Sequence, residues 1–378
     1  MPKPAVRKWT RRSLFGAAAG LAGGAWWLWP RKPPVGADIP ADYLLRGQAL
    51  IKAHPLIDVH SHSGRSFLVG ASPNNFVVRL MRDGFEARRV ADMAAAHVSA
   101  GLIAIVADIA VLGLKDGGLQ VVRDFRPGEA YKDYQRQLDR LLGVINAGTI
   151  ALALSVEDIL AAKAADEPTA VLASEGGDFI ETDLARVEQA YRSGLRSITL
   201  VHYNTNLLGD SQTTTPVHNG LTSLGHDVVS EMNRLGMIVD LAHASFQTCK
   251  DAVRTSNAPV MLSHSNLDTA ENPSPRFISL EHARLIAETG GIIGAWPAGI
   301  GSKSLADFAR QVIVLGKNVG FDHVAIGTDM DGNYKPVLTD YTDFAALAAL
   351  LLLKGISESD VAKILGGNFL RVFREVAT

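Results

Sequence analysis

The sequence predicts an α/β protein built as a (β/α)₈ TIM barrel, and three observations predict it. Eight short apolar runs, β-branched or alanine-rich, recur between residues 55 and 329. Amphipathic runs of helical spacing separate them, and polar side chains gather at their C-terminal ends. A doubly wound open sheet gives the same alternation. The third observation decides, because only a closed barrel brings six strand ends onto one centre.

In chain order the expected strands are "PLIDVHS" at 55–61, "LIAIVADIA" at 102–110, "TAVLASE" at 169–175, "SITLVH" at 197–202, "MIVDLAH" at 237–243, "PVMLSH" at 259–264, "GIIGAWP" at 291–297 and "HVAIGTD" at 323–329. Helical patterns such as "DLARVEQAYRSG", "GHDVVSEMNRLG", "SLEHARLIAETG" and "SLADFARQVIVLGKNVG" lie between them, several ending in the glycine expected just past a helix C-terminus. "GTIALALS" at 148–155 reads as an extra strand in an elaborated connection, ahead of the short helix "VEDILAAKAA". Residues 38–378 form the barrel domain, with no Pro/Gly/Ser linker to divide them.

Residues 1–37 stand apart. "RKWTRRSLFGAAAGLAGGAWWLWP" has a basic start, the pair Arg11 and Arg12, and an apolar run from Leu14 to Trp29 ended by Pro30. It resembles a twin-arginine-type export signal, which places the mature protein outside the cytoplasm, in the periplasm or its equivalent. The apolar run is shorter than the ~20 residues of a membrane span, so cleavage near Ala37 is expected; Trp26, Trp27 and Trp29 keep an uncleaved membrane anchor open.

The whole chain, 378 residues with 47% hydrophobic and 20% charged, carries a formal net charge of −2. With no basic cluster beyond the first 33 residues, nucleic acid is excluded as the main partner. The single cysteine, Cys249, has no partner for an internal disulfide and reads as a small core residue within "SFQTCKDAV".

Of eleven histidines, five fall at expected strand ends: His60, His62, His202, His243 and His264. One alone is more often a satisfied histidine than a ligand. Five together with Glu175 and Asp329 point instead to a metal site, because neutral imidazole and carboxylate are the usual ligands of zinc and its neighbours. His60 and His62, at i and i+2, share one face of their strand. Asp58 faces the same way one step deeper, as a supporting partner, whereas Asp240 points to the far side of its strand.

Longer stretches carry a resemblance. "SEGGDFIE", "LRSITLVHYNTNLLGDS", "GLTSLGHDVVSEMNRLGMIVDLAHAS", "APVMLSHSNL", "FDHVAIGTDMDG" and "GGNFLRVF" occur in the order seen in the membrane dipeptidase (renal dipeptidase) family of zinc peptidases, within the amidohydrolase superfamily. The likeness runs from about residue 55 to 376. It implies two divalent ions, zinc first among them, with Glu175 bridging, His60 and residue 62 on the first ion, and His243 and His264 on the second. It implies further that Asp329 is the acid/base carboxylate, that His202 contacts the scissile carbonyl, and that Arg276 receives the substrate's terminal carboxylate. The substrate implied is a dipeptide or similar small molecule; family members are often dimers, so a homodimer is expected by analogy.

The resemblance breaks at one ligand. The family's first strand usually ends His-x-Asp, and here it ends His60-Ser61-His62. One negative charge is thereby removed from the first ion's ligand set, so its metal preference and the substrate become open questions. "SGRSFLVGASPNNF", after His62, also departs from the family's usual continuation. An amidohydrolase acting on lactams, lactones or N-acyl amino acids is the alternative enzyme, and a non-catalytic metal-containing binding protein the alternative of another class. On spacing alone Asp331 competes with Asp329, and Arg276 reads as a solvated charge.

Overall fold

The computed structural model describes residues 38–81, 84–115 and 118–377, so the expected export signal lies outside the described residues. Ile39–Thr378 form one compact unit. Its eight barrel strands are β1 (Ile57–Ser61), β2 (Ala100–Val106), β6 (Thr169–Glu175), β7 (Leu195–Thr199), β8 (Ile238–Asp240), β9 (Met261–Ser265), β10 (Ile292–Ala295) and β11 (Val324–Ile326). Each pairs in parallel with the next, in the order β1-β2-β6-β7-β8-β9-β10-β11. The barrel is closed just past β11: the Asp329 amide donates to the His60 carbonyl and the His62 amide to the Met330 carbonyl, both at 2.9 Å. An open doubly wound sheet is thereby excluded.

The strands are buried on both faces, as parallel barrel strands must be. Ile57, Val59, Leu102, Val171, Ile238, Met261, Ile292 and Ala325, drawn from seven strands, share one cluster with Phe369 and Phe373 of the C-terminal helix Asn368–Val376. That cluster is the barrel interior, and the helix closes it at the end opposite the strand C-termini. Gly366 makes the closure possible: a Cβ there would stand 2.4 Å from the Pro55 carbonyl oxygen, ahead of β1. A larger cluster lies between the barrel wall and its helices.

The helices start where the sequence supplies a cap. Ser155, Thr222, Ser245, Ser279 and Ser304 each accept a hydrogen bond from the amide three residues on, opening the helices Val156–Ala165, Ser223–Leu235, Phe246–Thr255, Leu280–Glu288 and Leu305–Val319. Gly236 ends the second of these at φ +73°. The extra strand expected in 148–155 is the short β5 (Ala151–Leu152), which pairs with Thr169 and Ala170 at the start of β6.

Five expected strands run too far, β2 and β10 stopping at Val106 and Ala295, short of the expected 110 and 297. β7, β8 and β11 end three residues before His202, His243 and Asp329, which sit in the following loops. The ladder cannot continue because His243 (φ +64°) and Asp329 (φ +53°) lie in the left-handed region, a strain that non-glycine residues carry mainly at functional sites. Unanticipated in the sequence is the antiparallel hairpin β3 (Leu112–Lys115) and β4 (Gly118–Val121), which follows β2.

Cys249 is fully buried, its thiol pushed up by burial, as the core reading requires. His282 Nε2 lies 2.9 Å from its sulfur, and burial holds this histidine down at about 4 from an ordinary 6.5. An unfolded chain takes up this proton as pH falls through 6.5, while the native one waits until 4, so stability is lost across that window. Between pH 7 and 5 the wild type is expected to lose about 2 kcal/mol more than His282→Gln, measured by urea denaturation. Equal losses would contradict the buried, neutral histidine.

Candidate metal centre

The barrel mouth is organised around Glu175, the last residue of β6 and almost fully buried. Its Oε1 lies 3.4 Å from His60 Nε2, 3.0 Å from His243 Nε2 and 3.4 Å from His264 Nε2. Its Oε2 lies 3.2 Å from His62 Nε2 and 3.3 Å from His202 Nε2. Asp329 Oδ1 stands 3.4 Å from His62 Nε2. The seven residues singled out at the strand ends thus meet at one point.

The outer ring nitrogens are held so that the inner ones face the centre. His62 Nδ1 is 3.2 Å from the Ala104 carbonyl, His264 Nδ1 is 3.1 Å from Ser263 Oγ, and His202 Nδ1 is 2.6 Å from Asp108 Oδ1. With Nδ1–H donating to Ala104, His62 turns its Nε2 lone pair inward, the arrangement that supports metal-binding histidines.

These residues fit divalent cations. His60 Nε2 is buried without a hydrogen-bond partner, and His243 Nε2 faces His264 Nε2 at 3.0 Å. Ligands on a tetrahedral zinc with bonds of about 2.05 Å stand about 3.3 Å apart, matching the separations around Glu175. Three overlapping donor groups are compact enough for one ion each: His60, Glu175 and His264; His60, His62 and Asp329; and Glu175, His202 and His243.

The electrostatics favour the ligand forms of Glu175, His243 and His264, whereas burial at His60 is outweighed by the carboxylates around it, which raise its pKa. Burial opposes ionisation of Glu175, but the neighbouring charges of His202 and His60 hold it well below the usual carboxylate range. Burial and the charge of Arg276 keep His243 neutral, and burial with His60 does the same for His264. His202 is also disfavoured as a cation by burial, yet Asp108 and Glu175 outweigh this and push it up to about 9. Burial raises Asp329, aided by the charge of Glu175.

The alternatives of the sequence resolve by contact. Asp331 is paired with Arg89, at 3.0 Å from Nε and 2.7 Å from Nη2, and accepts from the Gly64 amide, so it is spent on structure. Arg276 is no solvated charge. It is buried, lies over the Trp296 ring at 5.3 Å, donates to Gln212 Oε1 at 3.0 Å and places Nη2 3.0 Å from His243 Nε2. Asp240 accepts from Thr199 Oγ1, Ala242 N and Ser263 N, binding neighbouring strands together. Asp58 supports His60 through its backbone amide, and also takes Thr328 and Tyr341, tying β1 to the chain after β11.

Two contributors were missed. Asp108, just past β2, also accepts the amides of Tyr203 and Asn204 and so fixes the His202 loop. Trp296, just past β10, donates Nε1–H to Asp329 Oδ2 at 3.2 Å. The only signal for Asp108 was a carboxylate inside an apolar run.

An eight-stranded parallel barrel with imidazoles and carboxylates converging at the strand C-termini defines a class, the barrel metallohydrolases. The chain belongs to the membrane dipeptidase family, peptidase family M19, which it matches across residues 45–378. It is 33% identical over 257 residues to the dipeptidase tcpJ of Claviceps purpurea, covering 65% of this chain and 60% of that protein. To the dipeptidase verJ of Clonostachys rogersoniana it is 35% identical over 209 residues, 53% and 54% of the two chains. The chain thus spans between half and two thirds of the length of these curated relatives. Among solved structures, the probable dipeptidase PvdM from Pseudomonas aeruginosa superposes with a TM-score of 0.72 at 20% identity, over 89% of this chain and 99% of that one. A metallopeptidase from Rhodobacter sphaeroides, liganded with a phosphinate mimic of the dipeptide L-Ala-D-Ala, superposes with a TM-score of 0.71 at 22% identity, over 85% and 99%. At these identities the superpositions establish the fold.

Proposed function

We propose that the protein is an exported metal-dependent dipeptidase that hydrolyses the amide bond of short peptides bearing a free C-terminal carboxylate. One observation carries the reading: Glu175 offers one oxygen to each of two groups of imidazoles, beside a buried arginine on the wall of the same cavity. The cavity is lined by His62, Glu175, His202, His243, His264 and Asp329 together with Arg276 and Trp296. Family membership and relatives named as dipeptidases support the same substrate class.

His60, His62, Glu175, His243 and His264 would hold two divalent ions, most simply zinc, which when bound polarise the scissile carbonyl and lower the pKa of a shared water from 15.7 toward 7. Arg276 holds the substrate carboxylate through a bidentate pair. His202, locked by Asp108, presents Nε2 to the carbonyl oxygen as negative charge develops there. Asp329, fixed by the Trp296 indole, takes a proton from the attacking water and passes it to the leaving nitrogen. Water oxygen joins the carbonyl carbon, the C–N bond breaks with its electron pair going to nitrogen, and a free amine and a new carboxyl group result.

Metal analysis of the purified protein, coupled to dipeptide hydrolysis before and after chelation, tests the reading. Two equivalents of metal and chelator-sensitive cleavage are expected; a metal-free, unaffected protein would overturn it. Asp108→Asn is expected to lower kcat about 10- to 100-fold with little change in KM, since it frees the His202 ring without touching substrate. A rise in KM alone would place Asp108 outside the positioning of His202.

A further inference from the structure

The cavity over the metal centre has two unlike walls. On the side of His243 stand Arg276 and Trp296. On the side of His62 and His202 the lining is apolar: Phe67, Val77, Met81, Ile109, Leu112 and Leu119. The Phe67 ring lies 5.3 Å from that of His62, and the Tyr203 ring 4.5 Å from that of His202. These apolar residues form a hydrophobic cluster distinct from the barrel interior and the outer core, built from the turn Ser63–Leu68, the helix Phe76–Met81 and the hairpin β3–β4. Asn75 pins the wall together, donating to the carbonyls of Ile109 at 2.7 Å and Leu112 at 3.4 Å.

Among the described residues, the lining carboxylates are Glu175, surrounded by imidazoles, and Asp329, engaged by Trp296 and beside His62. A charge entering beside the apolar wall would be desolvated among aliphatic and aromatic groups, at a cost of several kcal/mol. An aliphatic group there instead gains about 25 cal/mol per Å² of buried surface.

If Arg276 holds the C-terminal carboxylate, as the reading above has it, the amide crosses the metal centre and the acyl half of the substrate meets the apolar wall. We infer that this wall, built by residues 67–81, 106–115 and 118–119, is a specificity subsite that selects an uncharged aliphatic group on the acyl side of the scissile amide. Two substrates share that chemistry: a dipeptide with an apolar first residue, and an amino acid N-acylated by a short aliphatic chain.

The test compares kcat/KM for Leu-Gly, Gly-Gly, Asp-Gly, Lys-Gly and 4-methylpentanoyl-glycine, which is Leu-Gly without its amino group, on the metal-loaded enzyme. Leu-Gly or its desamino counterpart is expected to exceed Asp-Gly and Lys-Gly at least about tenfold. Whichever of the two is faster names the source, a peptide or an N-acyl amino acid. In Leu119→Asp and in Met81→Asp, on separate elements, the Leu-Gly to Gly-Gly ratio is expected to fall about tenfold. Equal rates across the series, or an unaltered ratio in both variants, overturn the subsite while leaving the hydrolase reading intact. No chelator-sensitive cleavage of any of the five removes both.

Discussion

Glu175→Gln is expected to abolish activity, with kcat/KM falling on the order of 10³-fold or more and bound metal dropping below one equivalent per chain. The amide is nearly isosteric, so the cavity keeps its shape. What disappears is the negative charge on which five imidazole nitrogens converge at 3.0–3.4 Å. If Glu175 bridges two cations as proposed, their mutual repulsion would no longer be offset by the neutral amide. Metal content by mass spectrometry beside steady-state kinetics checks the outcome. A variant retaining two metals and rates within tenfold of wild type would remove Glu175 as the bridge.

Arg276→Met is expected to raise KM about 100-fold for dipeptides with a free C-terminal carboxylate, with a smaller effect on kcat. A charge-assisted bidentate pair in a site screened from water contributes on the order of 2–3 kcal/mol. Burial already disfavours the guanidinium, lowering its pKa, so the fold does not depend on its charge. The diagnostic comparison is Ala-Gly against Ala-Gly amide. Wild type should prefer the acid strongly, and the variant should treat the two within a few-fold. A preference surviving in the variant would assign the carboxylate to another group.

Much of this was legible along the chain because barrels write a simple pattern. Apolar runs of strand length announced the ladder, and the i, i+2 spacing of His60 and His62 placed both imidazoles at the mouth. The strand limits were less legible, since His202, His243 and Asp329 extend apolar runs while their backbone has already turned away. Partners distant in sequence were the least legible. Nothing near Asp331 reveals that Arg89, 242 residues earlier, claims it, and nothing near Asp108 reveals a histidine 94 residues on. Arg276 looks solvated in its loop until Trp296 and Gln212 fold over it.

The joint between the two ends of the barrel also makes closure wait for residues near the end of the chain. Asp58 meets Thr328, 270 residues downstream, and the peptide groups of His60 and Asp329 form the rungs beside that contact. Contacts of such long range need nearly the whole chain: His60, His62, Glu175, His243 and His264 all precede residue 329, yet a growing chain that stops short of it has no closed barrel to hold them together.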